Sequence, residues 1–137
     1  MKYLKIFLTS TLFFVLIDGI WLTQIAPQFY KTHIGHLLTD TPDFVAAAMF
    51  YIIALAGLMV FSILPALSKN SAKLALVYGG LYGLVTYATY DLTNQATLKN
   101  WPVIVTVVDL IWGTFLNLAV SILVYVVVKK FFSETKV

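Results

Sequence analysis

Apolar residues run through this chain in four blocks, each about as long as a bilayer crossing, with polar and proline-bearing breaks between them. A hydrocarbon core of about 30 Å needs about 20 apolar residues in helix. The blocks fall at 4–24, 44–64, 74–92 and 103–128, and the last is long enough to tilt or to extend past the lipid. Helix punctuation supports these limits. Thr41-Pro42-Asp43 offers an N-cap, a proline at the first helical position and an acid in the first turn. Trp101-Pro102 opens the fourth block in a similar way, and Asn70-Ser71 offers a cap before the third. Pro65 falls at the end of the second block, where a lost backbone hydrogen bond costs least.

The break between the first two blocks has a pattern of its own. In 27–38, Phe29, Tyr30, His33, Ile34, Leu37 and Leu38 fall on one half of a helical wheel, with Lys31, Thr32, Gly35 and His36 on the other. This predicts a short interfacial helix lying on the membrane surface in the first outer loop. Trp21, Trp101 and the tyrosines fit an aromatic belt at that level. The fold class expected is therefore all-α: an integral membrane four-helix bundle, forming one transmembrane domain over 1–137.

Composition points to the same solvent. Of 137 residues, 61% are hydrophobic and 11% charged, against about 25% charged in an ordinary water-soluble domain. Mean hydropathy is +0.91. Too little polar surface remains to cover a globule in water. The absence of cysteine excludes disulfides, thiolate nucleophiles and thiolate-bound metals. The net charge of +3 comes from lysines at helix ends, not from one basic patch, so nucleic acid is not an expected partner.

Those lysines set an orientation instead. One side would hold Lys2, Lys5, Lys69, Lys73, Lys129, Lys130 and Lys136, and the other only Lys31 and Lys99. Both termini are then expected in the cytoplasm, in a multi-pass protein of a bacterial inner (cytoplasmic) membrane. The first block is expected to be retained and not cleaved as a signal peptide. Asp18 interrupts it, no small-x-small site follows, and Ala26 is followed by Pro27.

Three aspartates lie within the spans, where an acid is a functional-site hypothesis by default. At 1.5 Å per residue, Asp18 and Asp109 each sit about 9 Å inside the outer boundary, and Asp91 a few Å inside it. Three helices thus present carboxylates in one outer-leaflet slab. On the third span Tyr87, Asp91 and Asn94 share a face, with Tyr90, Thr93 and Gln95 nearby. Asp18 aligns with Trp21, and Asp109 with Trp112 and Gly113. Asn117, Ser121 and Tyr125 continue the Asp109 line inward, a polar stripe that should face protein. The two Asp-x-x-Trp matches sit on oppositely directed spans and are read as chance in preference to an inverted repeat. Ala75, Gly79 and Gly83, four residues apart, are read as a helix-packing groove.

The candidate ligand-binding set is therefore Asp18, Trp21, Tyr87, Asp91, Asn94, Asp109 and Trp112. No lysine or arginine lies inside the bundle to neutralise the acids, and clustered carboxylates in a low dielectric cannot all carry charge cheaply. Three outcomes are open: a structural hub satisfied by Tyr, Asn and Trp donors; neutralisation by a cationic ligand or a metal; or proton transfer as general acid and base. The only histidines, His33 and His36, read first as interfacial groups bonding to headgroups or water. An Asp–His hard-metal set is the alternative, with His33 turned toward the carboxylate layer. Every serine (Ser10, Ser62, Ser68, Ser71, Ser121, Ser133) lies in or near the cytoplasmic half, so no Ser-His-Asp triad is available at the acids. No phosphate loop or dinucleotide fingerprint occurs. An enzyme would need acid–base, metal-assisted or bound-cofactor chemistry, and neither enzyme status nor a cofactor is legible.

Four stretches carry a family resemblance: FVLIDGIWL at 14–22, FYKTHIGHLL at 29–38, GLYGLVTYATYDLTNQATL at 80–98 and TVVDLIWGT at 106–114. Together they closely resemble the bacterial predicted-membrane-protein family catalogued as domain of unknown function 2177. The resemblance covers nearly the whole chain and implies a four-span bacterial membrane protein. It brings no activity, substrate or cofactor. Asp18, Asp91 and Asp109 all fall inside these motifs. The function expected first is an outer-leaflet, carboxylate-lined pocket that binds or processes a small, lipid-like or cationic molecule. A non-catalytic accessory or assembly subunit, its Gly79/Gly83 groove taking a partner helix or a second copy, comes next. A small, oligomeric proton-coupled transporter comes last, because the acids lie off the midplane where transporter sites usually sit.

Overall fold

The computed structural model describes residues 1–132, so Ser133 and Lys136, used above in the serine survey and the lysine count, lie outside the described residues. Among the described residues the chain is all-helical. It comprises α1 (Lys2–Ile20), α2 (Ala26–Ile34), α3 (Phe44–Leu58), α4 (Leu64–Ser68), α5 (Ala72–Thr97) and α6 (Val103–Phe131).

Two π-helical turns join these pieces into longer rods. Trp21–Ile25 links α1 to α2, and Met59–Ile63 links α3 to α4. Each sits just before a proline, Pro27 or Pro65. A proline in a regular helix has no N–H to donate and its ring meets the carbonyl four residues back. A wider turn there re-aims that carbonyl and lets the helix continue. This revises two expectations. The second block does not stop near Pro65 but runs to Ser68, and the segment at 27–38 is not a separate loop helix. With the Gly35–Leu37 turn it extends the first helix without a break, Lys2–Leu37.

Part of the apolar side of this segment packs inward, while Leu37 and Leu38 stay exposed. Ile34 is buried against Trp101 and Val105, with Phe29 and Tyr30 packed beside them. Capping shifts by two residues at α3: Asp43 is itself the N-cap, its carboxylate accepting from the amides of Val45 and Ala46 at 2.9 and 3.0 Å, so Thr41 and Pro42 stay outside the helix. Ser71 caps α5 as expected, by accepting from Leu74 N.

Among the described residues, three helices are long and apolar enough to cross a membrane: Lys2–Leu37, Phe44–Ser68 and Val103–Phe131. Helix α5, 26 residues long, is more polar. It lies along α6, and the small-residue stripe explains how. A β-carbon at Gly79 would overlap Ser121 and the Asn117 carbonyl, and one at Gly83 would overlap the Gly113 carbonyl. The groove is thus filled by the chain's own α6, and a partner helix or second copy would need another face. The polar stripe of α6 faces protein: Asn117 donates to Gly113 O at 2.8 Å, Ser121 shares a 2.9 Å bond with Ser62, and Tyr125 donates to Asn70 at 3.2 Å.

Helix α6 is the axis of the fold, with α1 and α5 against it and Leu116, Val120 and Val124 fully buried. The main apolar core fills the half nearer the lysine-bearing ends. The Ile34–Trp101–Val105 cluster closes the other end, and the aspartates lie between the two.

Candidate functional site

Helix α3 stands away from α5 over most of its length. Its continuation, Met59–Ile63 and α4, packs along α5, whereas α3 itself scarcely touches it. The two converge at Gly57, where a β-carbon would overlap the Tyr82 hydroxyl. Just beyond, that hydroxyl donates to Ala54 O at 2.9 Å. Above this latch the helices splay and leave a cavity of about 640 Å³. Phe50, Ile53 and Ala54 of α3 form one wall, and Thr86, Tyr87 and Asp91 of α5 form another. Asp109 and Asn117 of α6 lie at the back, with Tyr30, Ile34 and Trp101 at the closed end.

The three aspartates do not form one cluster. Asp18 is a satisfied group, accepting from the Tyr51 hydroxyl at 2.7 Å and from the Trp112 indole at 3.3 Å. It does not line the cavity. Asp109 accepts from Tyr30 at 2.6 Å. Asp91 is 1% exposed and neither of its oxygens has a hydrogen-bond donor. The Asp109 carboxyl is a close neighbour and interacts with it. Two carboxylates cannot donate to each other, so that contact is a hydrogen bond only when one proton lies between them. The Tyr87 ring lies against Gly113, within electrostatic range of all three acids.

The remaining expected residues separate in the same way. Trp21 and Trp112 stack at 4.7 Å and 14°, so the two Asp-x-x-Trp segments meet face to face. They form a wall behind the cavity and do not line it. Asn94 is half-buried, away from the lining, and its carbonyl accepts from Leu98 N at the end of α5. His33 places Nδ1 2.9 Å from Phe29 O and tilts its ring on Phe29, and His36 is exposed. Neither lines the cavity, and among the described residues no three His, Cys, Asp or Glu side chains gather as a metal-binding set.

Four tyrosine or tryptophan roles were missed. Tyr30 sat on the apolar half of its helical wheel, although its hydroxyl needed a partner. Tyr51 and Tyr82 belong to no local polar pattern that would announce their partners. Trp101 was placed in a surface belt but is buried, donating to Thr106 at 3.0 Å.

A family model described as "Predicted membrane protein (DUF2177)" matches residues 3–126, which includes all four stretches on which the resemblance rests. No curated protein and no solved structure matches the chain.

Proposed function

Because the chain belongs to the DUF2177 family of predicted membrane proteins, we propose that it crosses the bilayer four times and binds or processes a small or lipid-like molecule in the α3–α5 cavity. Helix α5 is the fourth span: its 26 residues reach about 39 Å, and its polar side chains are turned partly into the bundle. All of 1–137 is then one transmembrane domain with both termini in the cytoplasm of a bacterial cell, and the cavity opens to the outer leaflet of the inner membrane. The lysine count supports that orientation. Because the chain has no cysteine, single cysteines can test it. Lys99→Cys in intact cells is expected to react with a membrane-impermeant maleimide, and Lys69→Cys only after permeabilisation. The reverse pattern would invert the topology.

One observation carries the ligand reading. Asp91 is a buried carboxyl without a donor on the wall of a cavity large enough for a ligand. A carboxyl in that state costs stability, and a structural role alone gives it no compensation, whereas a bound molecule does. The apolar remainder of the lining and the split between α3 and α5 suit a molecule that arrives from the lipid. Mass spectrometry of protein extracted in native-lipid particles is expected to find a molecule enriched with the parent chain. It should be depleted about tenfold or more in Asp91→Leu. Identical small-molecule and lipid profiles for the two proteins would sink the proposal.

A further inference from the structure

The charge and shape of the cavity narrow the ligand class, a step that rests on the reading above. We infer that the cavity takes an amphiphile with a cationic amine head, held at Asp91 and Asp109, and an apolar tail along the α3 wall.

The head group follows from charge. With one proton between them, Asp91 and Asp109 carry a net charge of −1. The Tyr30 hydroxyl is already spent on Asp109. No lysine or histidine lines the cavity, so an anionic head would meet only repulsion. A neutral head leaves the pair's charge uncompensated in a low dielectric. A single ammonium neutralises it and supplies the donors that the Asp91 oxygens lack. The surrounding rings suit a cation as well. Tyr30, Tyr87, Tyr90 and Trp101 all line this end, and aromatic faces attract an ammonium group.

The tail follows from the rest of the lining. From the acid pair toward the Tyr82–Ala54 latch the walls are Phe14, Phe50, Ile53 and Ala54. Phe50 and Ile53 are 52% and 67% exposed, so the slot is open along its side. An acyl or alkyl chain can lie there without crossing a polar barrier.

The test uses the full chain in neutral maltoside micelles, with binding read by native mass spectrometry. Dodecylamine, which is protonated at neutral pH, is compared with dodecanol and with tailless butylamine. Dodecylamine is expected to bind about tenfold tighter than either, and the preference over dodecanol should vanish when both acids are replaced, in Asp91→Asn with Asp109→Asn. Equal binding of dodecanol, or an unchanged preference in that double variant, would overturn the cationic head while leaving the cavity reading intact. Equal binding of butylamine would overturn the tail. A cavity-filling variant, Ala54→Phe, separates the two readings. If it loses every amphiphile, the site lies in the cavity, and if it loses none, both readings fall. Ile53→Trp, built from an exposed position, serves the same purpose if Ala54→Phe does not yield folded protein.

Discussion

Alanine at Gly83 is expected to destabilise the protein by about 3 kcal/mol, the upper end of ordinary overpacking costs, while alanine at Gly80 does no harm. The two glycines sit almost one helical turn apart on α5 and both are buried. They differ in what a methyl group would meet. At Gly80 the nearest atom is Leu118 Cδ1 at 3.5 Å, an ordinary contact with a flexible side chain. Alanine there also favours helix over glycine by about 1 kcal/mol. At Gly83 the methyl would enter the Gly113 carbonyl, which belongs to the α6 backbone. No rotamer change relieves that clash, so the helices must separate. Separation also has a chemical consequence, because Asp91 lies two turns beyond Gly83 on α5 and Asp109 one turn before Gly113 on α6. Thermal unfolding of both variants in one detergent decides the matter. Equal midpoints for Gly80→Ala and Gly83→Ala would mean that α5 and α6 are not in contact as described.

Much of this architecture was legible from hydrophobic blocks and spacing, because lipid imposes strong rules. Long apolar runs must be helical, and small residues at four-residue spacing permit close approach. Hence the α5–α6 seam and the inward line Asn117–Ser121–Tyr125 could be read without coordinates. Helix ends are less legible, because a proline within an apolar run reads as a boundary. Pro27 and Pro65 are instead each accommodated by a π-helical turn, which no local pattern in the sequence announces. A segment at 27–38 set apart from α1 gives no reason to bring Tyr30 to Asp109. Depth along a helix also says nothing of azimuth. Only the rotation of each helix decides that Asp91 and Asp109 come together while Asp18 faces Tyr51 and Trp112. Rotation depends on packing across the whole bundle, and the Tyr82–Ala54 and Tyr51–Asp18 contacts join residues 28 and 33 positions apart.

That division of the acids leads to opposite expected signs for two substitutions of the same residue type. Asp18→Ala should lower stability, and Asp91→Asn should raise it. Asp18 accepts two hydrogen bonds from partly buried donors. Removing its carboxyl strands the Tyr51 hydroxyl and the Trp112 indole N–H, at about 1–3 kcal/mol for a donor left unmet. The Trp21–Trp112 stack loses its anchor with them. Asp91 has no such dependants. Its oxygens accept from nothing, and its carboxyl abuts another acid. An amide of the same shape can donate to Asp109 without needing a shared proton, so about 1–3 kcal/mol of penalty is relieved. Residues that cost stability where they stand are the ones expected to serve a ligand. Asp91→Asn should therefore unfold at a higher temperature than the parent chain. If Asp91→Asn instead unfolds as early as Asp18→Ala, Asp91 is a structural acid with a partner of its own, and the case for a ligand beside it disappears.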